Sequence, residues 1–273
     1  MNIMKNGVTP FLKWAGGKRW LIQQYPEYFP TEYNTYFEPF LGSGVVFFYL
    51  QPEFAILNDT NKDLIDSYKA IRSRWRKVYT LLSQHHKNHC KNYYYDIRST
   101  SYRSLEERAA KMIYLNRTCF NGIYRVNKKG EFNVPIGSKT QVLLDTDEFQ
   151  KISKILKGIK LLNTDFEKVI DLSREHDFVF VDPPYTVRHN SNGFVKYNEV
   201  LFSWEDQERL AECLIKAKNR GVKILMTNAA HPSIRQLYEP NGFNIKAVSR
   251  YSSISANKKS RSNYQEFLIF CNL

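Results

Sequence analysis

Apolar positions along the 273-residue chain follow two rhythms. Short runs crowded with β-branched and aromatic residues recur in YNTYFEP, FAILND, GIKLLNTDF, FVFVDPPY, VKILMTN, FNIKAVSRY and YQEFLIFCN. Such runs predict strands, and FVFV, which lacks any polar alternation, predicts one buried on both faces. Other segments carry helical spacing. VVFFYL should open a helix after a glycine turn, and SWEDQERLAECLIKAKNRG reads as a complete helix. In the latter, Ser203 can cap the start, Asp206 stands at the capping-box position, Gly221 suits the stop, and Leu210, Ala211, Leu214 and Ile215 line one face. From Lys62 to about Asp145 the pattern changes to long charged segments of helical spacing, such as LEERAAKMIYLNR, interrupted by an Asn- and Gly-rich stretch. Strands alternating with helices imply an α/β protein with a mostly parallel, doubly wound sheet. The main domain is expected to comprise residues 1–61 and 146–273, with 62–145 inserted as a helical subdomain.

Composition narrows this picture. With 42% hydrophobic residues the chain can bury a large core, which excludes a disordered protein or a small stapled scaffold. The net charge of +13 is unevenly placed: residues 62–145 hold 17 basic and 7 acidic residues, a net of +10. That segment is the expected surface for a polyanionic partner. Cys90, Cys119, Cys213 and Cys271 are scattered and form neither a CxxC nor a Cys/His cluster, so no disulfide framework and no zinc site is suggested. No apolar run of signal-peptide or membrane-spanning length occurs, and a cytoplasmic protein is expected.

Three candidate motifs sit at strand ends, the place where ligands bind such sheets. In FVFVDPPYTVR, Asp182 ends the strand, and Pro183 and Pro184 cannot continue a ladder because each lacks a donor. The turn is therefore stiff. In FEPFLGSG, Gly42 and Gly44 allow a tight turn and a close approach to a ligand. Asp59, ending ILND, can accept hydrogen bonds from a ribose or cap a helix. Near the start, FLKWAGGKR combines a Gly16-Gly17 turn with Lys13, Trp14 and Lys18.

Taken in order, FLKWAGGK, FEPFLGSG, ILND, NTDF and DPPY resemble the Dam-type DNA adenine methyltransferases. The resemblance runs from Phe11 to YQEFLIFCN, and the motif order is that family's α-group arrangement. It implies a Rossmann-like, S-adenosylmethionine-dependent methyltransferase domain, with 62–145 as the inserted target-recognition domain. By position it implies cofactor contacts from Trp14, Lys18, Glu38, Phe40, the Gly42-Ser43-Gly44 turn, Asp59, Asp165, Phe166 and Asp182. Asp182, Pro183, Pro184 and Tyr185 would form the catalytic loop, with Tyr185 stacking on the flipped base. Double-stranded DNA is the implied partner.

Within the insertion, NRTCFNGIYRVNKKGEFNVPIG, residues 116–137, reads as a β-hairpin with Lys128-Lys129-Gly130 at its tip. Its pattern NGxxRxNxxGxFNVPxG resembles the target-recognition hairpin of enzymes that methylate the adenine of GATC. The resemblance implies that Arg125 reads guanine and that Asn121, Asn127 and Pro135 contribute neighbouring DNA contacts, with Lys13 at the other end of the site. Arginine is the usual bidentate partner of guanine O6 and N7, so the role suits its geometry. The polar stretch before YQEFLIF carries Lys258, Lys259 and Arg261, candidates for phosphate contacts.

His85, His86 and His89 cluster in QHHKNHC, and a solvated helix face is expected there rather than a metal site. The same amino-group chemistry would serve cytosine N4 or an RNA adenine, and a catalytically dead DNA-binding module would keep the same fold. A cytosine C5 enzyme is disfavoured, since none of the four cysteines follows a proline.

Overall fold

The computed structural model of the chain describes residues 8–122, 124–127, 131–187, 202–251 and 263–273. Contacts divide it into two compact units, Met1–Ile22, Leu41–Pro52 and Asp59–Asn163 in one, and Gln23–Phe40, Glu53–Asn58 and Thr164–Leu273 in the other. The chain crosses between them directly after Phe40 and directly after Asn58.

The first unit is mainly helical. After α1 (Arg19–Gln24) and α2 (Val45–Leu50), it is built on α3 (Lys62–Asn88), α4 (Lys91–Ser99), α5 (Leu105–Thr118) and α6 (Phe149–Ile155). Asn61 caps α3 by accepting from the Leu64 amide, and Leu64, Ile65, Tyr68, Ile71, Val78 and Leu82 form its buried stripe. Arg74 leaves helical geometry (φ −138°) and kinks α3 part-way. Ser104 caps α5, whose buried residues pack mainly against α3. At the C-terminal end of α5, Arg117 forms a fully desolvated bidentate pair with Asp147, at 2.6 Å for each bond, and also donates to the Phe11 and Val142 carbonyls. Breaking such a pair leaves an uncompensated buried charge, which costs about 3–5 kcal/mol.

The strands are β1 (Tyr36–Glu38), β2 (Ala55–Asn58), β3 (Lys160–Leu162), β4 (Phe178–Val181), β5 (Lys223–Ala229), β6 (Asn244–Tyr251) and β7 (Asn263–Cys271). They form one seven-stranded sheet in the order β3-β2-β1-β4-β5-β7-β6. Pairing of β2, β1, β4 and β5 is parallel, so the carboxyl ends of these strands lie along one edge. β7 runs antiparallel between β5 and β6. Every expected strand is present, and FVFV of β4 is fully buried, as its unbroken apolar run requires. The second unit adds α7 (Phe166–Ile170), α8 (Trp204–Asn219) and α9 (Pro232–Tyr238). The Ser203 cap of α8 is a complete capping box closed by Asp206, and Gly221 (φ +81°) follows its end. None of the described helices is long and apolar enough to cross a membrane.

Two expectations change. Among the described residues, 116–137 pair antiparallel at isolated bridges, Cys119 with Ile136 and Val126 with Phe132, rather than as a ladder. The strand path is broken because Asn121 and Gly122 both have positive φ (57° and 65°). Gly137 is required at the return: its amide bonds the Thr118 carbonyl at 2.7 Å, and a Cβ there would lie 2.5 Å from the Cys119 oxygen. The expected tip, 128–130, lies outside the described residues.

The histidine cluster is a solvated face only in part: His86 is exposed and His89 half-buried, but His85 is not. His85 is buried with Nδ1 2.8 Å from the Tyr93 hydroxyl, and His89 Nδ1 lies 2.8 Å from that of Tyr114. His86 Nδ1 accepts from the Val142 amide. Among the described residues no group of His, Cys, Asp or Glu could hold a metal. Burial pushes His85 down to about 4 from the ordinary 6.5. The unfolded state thus binds a proton first on acidification, so the stability linked to neutral His85 is complete above about pH 6.5 and is lost as pH falls toward 4. Chemical denaturation at a series of pH values should show this loss in the wild type and a flatter profile for His85→Asn.

Candidate active site

The DPPY loop leaves the sheet from β4, between β1 and β5. With no amide hydrogen at Pro183 or Pro184, the loop depends on side chains from other elements. The Asp182 carboxylate, partly exposed, accepts from the Thr227 hydroxyl on β5 at 2.7 Å. The Pro184 carbonyl accepts from Gln207 on α8 at 3.2 Å, and Gln207, fully buried, is itself held by Asn228 of β5 at 3.1 Å. Thr186 donates to the Phe202 carbonyl, and the Tyr185 hydroxyl donates to Glu266 of β7, both at 2.7 Å. Burial, then the charges of Asp182 and Glu266, raise Tyr185 well above the usual phenol range, so it remains a neutral donor. No helix begins between 183 and 187, so Asp182 is not a helix cap there.

Beside this loop the second unit gathers an aromatic cluster. Phe40 and Phe166 stack at 5.5 Å and 29°, and Phe202 meets them edge-on or tilted at 5.6 and 5.7 Å. The Arg209 guanidinium lies 4.3 Å over Phe166 and binds both oxygens of Asp165, at 2.7 and 2.9 Å, with Glu167 and Asp206 also in reach. Arg209 holds the Asp165 carboxyl below its usual range. Asp165 also caps α7 through the Glu167 amide. Glu38, buried at the end of β1, accepts from the Tyr36 hydroxyl at 2.9 Å. Asn58, ending β2, donates to the Pro39 and Thr164 carbonyls and accepts from the Thr164 amide, which locks the turns after β1 and β3 in register.

In the first unit the glycine turn closely approaches another side chain of the protein, Trp14. Gly42 (φ +49°) lies against the Trp14 ring, and a Cβ there would come within 2.8 Å of it. Its amide donates to Asp59 at 3.0 Å, while the other Asp59 oxygen accepts from the Asn61 amide at 2.9 Å. Asp59 therefore braces the turn, and the helix cap is Asn61. Desolvation raises Asp59 to about 6, opposed by these two amide bonds. Part of its surface still meets solvent, as does that of Ser43, whereas Gly44 is buried. Trp14 stacks on Tyr124 at 5.3 Å and 21°, and Lys18 is buried with Nζ on the Gly16 carbonyl. A half-buried indole beside a tight glycine turn braced by a partly exposed carboxylate is an arrangement that could hold a nucleoside, the carboxylate accepting from ribose hydroxyls.

The expected recognition residues also lie in the first unit. Lys13, Asn121, Arg125 and Pro135 are exposed. Both backbone groups of Lys13 are held by the Asn116 amide at 2.9 Å, and Gly122 packs against its side chain. Lys139 chiefly, then burial and Arg19, lower Lys13 to about 8, the signature of converging cations. Arg125 bonds Asn133 through Nε at 3.1 Å, so its terminal nitrogen pair lies outside that bond. Asn127 closes the turn on Glu131 with its amide and carbonyl groups, a role in shaping the loop. Lys258, Lys259 and Arg261 lie outside the described residues. Residues the motifs did not mark include Asn58, Gln207, Arg209, Thr227, Glu266 and the exposed Phe120. For Thr227 and Glu266 a signal exists, a polar residue within an otherwise apolar strand run.

Residues 14–254 match the family model described as D12 class N6 adenine-specific DNA methyltransferase. The chain is 36% identical over 98% of both lengths to the type II methyltransferase M1.LlaDCHI of Lactococcus lactis subsp. cremoris. It is 36% identical to the type II methyltransferase M.MjaIII of Methanocaldococcus jannaschii, over 96% of this chain and 98% of that one. It is 32% identical to the DNA adenine methylase of Haemophilus influenzae, over 95% and 92%.

Proposed function

Because the chain belongs to the D12 class of N6 adenine-specific DNA methyltransferases, enzymes dependent on S-adenosylmethionine, we propose that it methylates adenine N6 in duplex DNA at GATC, on a base swung out of the helix. The observation that carries the chemistry is the clamped DPPY loop. An adenine amino lone pair is delocalised into the ring, so the nitrogen attacks only when acceptors hold its hydrogens and let it pyramidalise. Asp182 and the Pro183 carbonyl serve as those acceptors, and Thr227 orients Asp182 through one oxygen. The proton released by the nitrogen passes by way of Asp182 to water. Tyr185 offers the ring face that offsets the stacking lost when the base leaves the duplex. The cofactor supplies a methyl group already activated on a sulfonium, so what remains for the protein is positioning and electrostatics.

Trp14, Lys18, the Gly42-Ser43-Gly44 turn and Asp59 are assigned to the cofactor, together with Glu38, Phe40, Asp165 and Phe166. The GATC assignment rests on the NGxxRxNxxGxFNVPxG pattern together with the exposure of Arg125, Asn121 and Pro135. We assign residues 62–145 as the target-recognition domain. The exposed Phe120 ring, 56% accessible beside Asn121, suits an apolar wedge between base steps.

Labelled S-adenosylmethionine and oligonucleotides test the whole reading. Duplexes with GATC should accept label at adenine, whereas duplexes with a scrambled site, cytosine-only targets and RNA should not. Asp182→Ala should abolish transfer yet keep most DNA affinity; label on RNA, or near-normal turnover by that variant, would sink the proposal. Arg125→Ala should relax discrimination at one guanine by about 1–3 kcal/mol, read from kcat/KM on single-substituted sites. An equal loss on every sequence would instead mark Arg125 as a phosphate contact.

Asp59 makes cofactor affinity pH-dependent. Its folded-state value of about 6 means that the ribose-accepting carboxylate is protonated below that pH. Bound hydroxyl donors favour the ionised form, so calorimetric Kd should tighten as pH rises from 5 to 7 and level off above about 7. Asp59→Asn should weaken binding and show no such step.

A further inference from the structure

YQEFLIFCN places one acid among the buried residues of a strand. Glu266 pairs with Ala229 of β5 and Val248 of β6, and its side chain is 3% exposed. Removing a carboxylate from water is expensive, and an apolar residue of similar volume would pack such a position at no such cost. Its geometry shows what the acid does. The Tyr185 hydroxyl donates to Glu266 Oε2 at 2.7 Å, a charge-assisted bond, across 81 residues of sequence. Thr227, which donates to Asp182, also lies in hydrogen-bonding reach of the Tyr185 hydroxyl. Thr227 thus holds Asp182 and Glu266 holds Tyr185, with the two hydroxyls side by side.

Tyr185 is held at its backbone by the clamped loop and at its hydroxyl by β7, so both ends of the ring are fixed. We propose that Glu266 is a positioning residue for the target base: it sets the Tyr185 ring as a stacking platform before DNA arrives. Resting on the function proposed above, this extends the base pocket to a strand outside the motif. A preset ring spares the ordering that a free phenol would undergo on receiving the base.

The test uses the full chain with S-adenosylhomocysteine and a GATC duplex carrying 2-aminopurine at the target adenine, whose fluorescence reports unstacking and restacking. Glu266→Ala and Tyr185→Phe should each alter the target-specific fluorescence. Each should also lower kcat roughly tenfold to a hundredfold, the factor of one charge-assisted hydrogen bond. Cofactor Kd should stay within about twofold, because the assigned cofactor contacts are untouched. Glu266→Gln, which keeps an acceptor oxygen, should recover most of both signals, and the Glu266→Ala/Tyr185→Phe pair should be no worse than the poorer single variant. Wild-type kcat and fluorescence in Glu266→Ala would overturn the proposal. So would equal impairment of the Ala and Gln variants in step with a fallen Tm, which would reveal a purely structural acid. If the wild type methylates GATC but gives no target-specific fluorescence change, base swinging itself fails and Glu266 with it; a responsive wild type whose Glu266→Ala variant responds identically sinks Glu266 alone.

Discussion

A loop with two consecutive prolines cannot secure itself through its own backbone, and the arrangement around β4 answers that constraint. Thr227, Gln207 and Glu266 come from β5, α8 and β7: Thr227 donates to the Asp182 carboxylate, Gln207 donates to the Pro184 carbonyl, and Glu266 accepts from the Tyr185 hydroxyl. The topology explains how they arrive together. β5 runs parallel beside β4, so its carboxyl end delivers Thr227 and Asn228 to the same edge. β7 runs antiparallel, so its first half, not its last, meets the end of β5, and Glu266 sits opposite Ala229. A parallel strand in that place would bring its last residues there instead.

Charge is divided by task. In the second unit Glu38 ends β1, Asp182 follows β4 and Asp165 follows the turn after β3. The excess of +10 in residues 62–145 suits a polyanion. Asp59 shows the cost of concentrating acids in desolvated turns, since its proton is held to about pH 6 despite two amide donors. Bracing the glycine turn against Trp14 keeps that carboxylate where it is despite the penalty.

The strands were legible because apolar runs and turn residues encode burial locally, and so was α8, whose cap, stripe and stop are all within 19 residues. The DPPY and FLGSG turns were legible as places where the backbone must do something special. The partners of those turns were not, because one threonine or glutamate in an apolar run announces a buried polar group without naming what it bonds. Glu266 and Tyr185 are 81 positions apart, and only the sheet order connects them. His85 misled for a related reason: a polar triplet at the end of a charged helix looks solvated until the tyrosines that cover it, Tyr93 and Tyr114, are folded over it. Residues 116–137 read as a β-hairpin because an Asn-, Gly- and Lys-rich turn lies between apolar pieces, while two successive positive-φ residues, Asn121 and Gly122, break its strand path.

Arg117 and Arg125 show why a count of basic residues overstates a DNA surface. They stand eight positions apart in one basic stretch, yet Arg117 is desolvated and neutralised by Asp147 whereas Arg125 is exposed with Nε on the neutral Asn133 amide. Arg108 is engaged by Asp66 as well, whereas Lys62, 67% exposed, makes only a surface pair with it. Charges already paired inside the protein displace no counterions from DNA, so the salt dependence of binding counts a subset of the basic residues. Arg125 differs from these, since a bond through Nε fixes the guanidinium plane while keeping the terminal fork outside it. That geometry suits bidentate reading of a base edge better than a swinging phosphate contact, and a lysine there could not reproduce it.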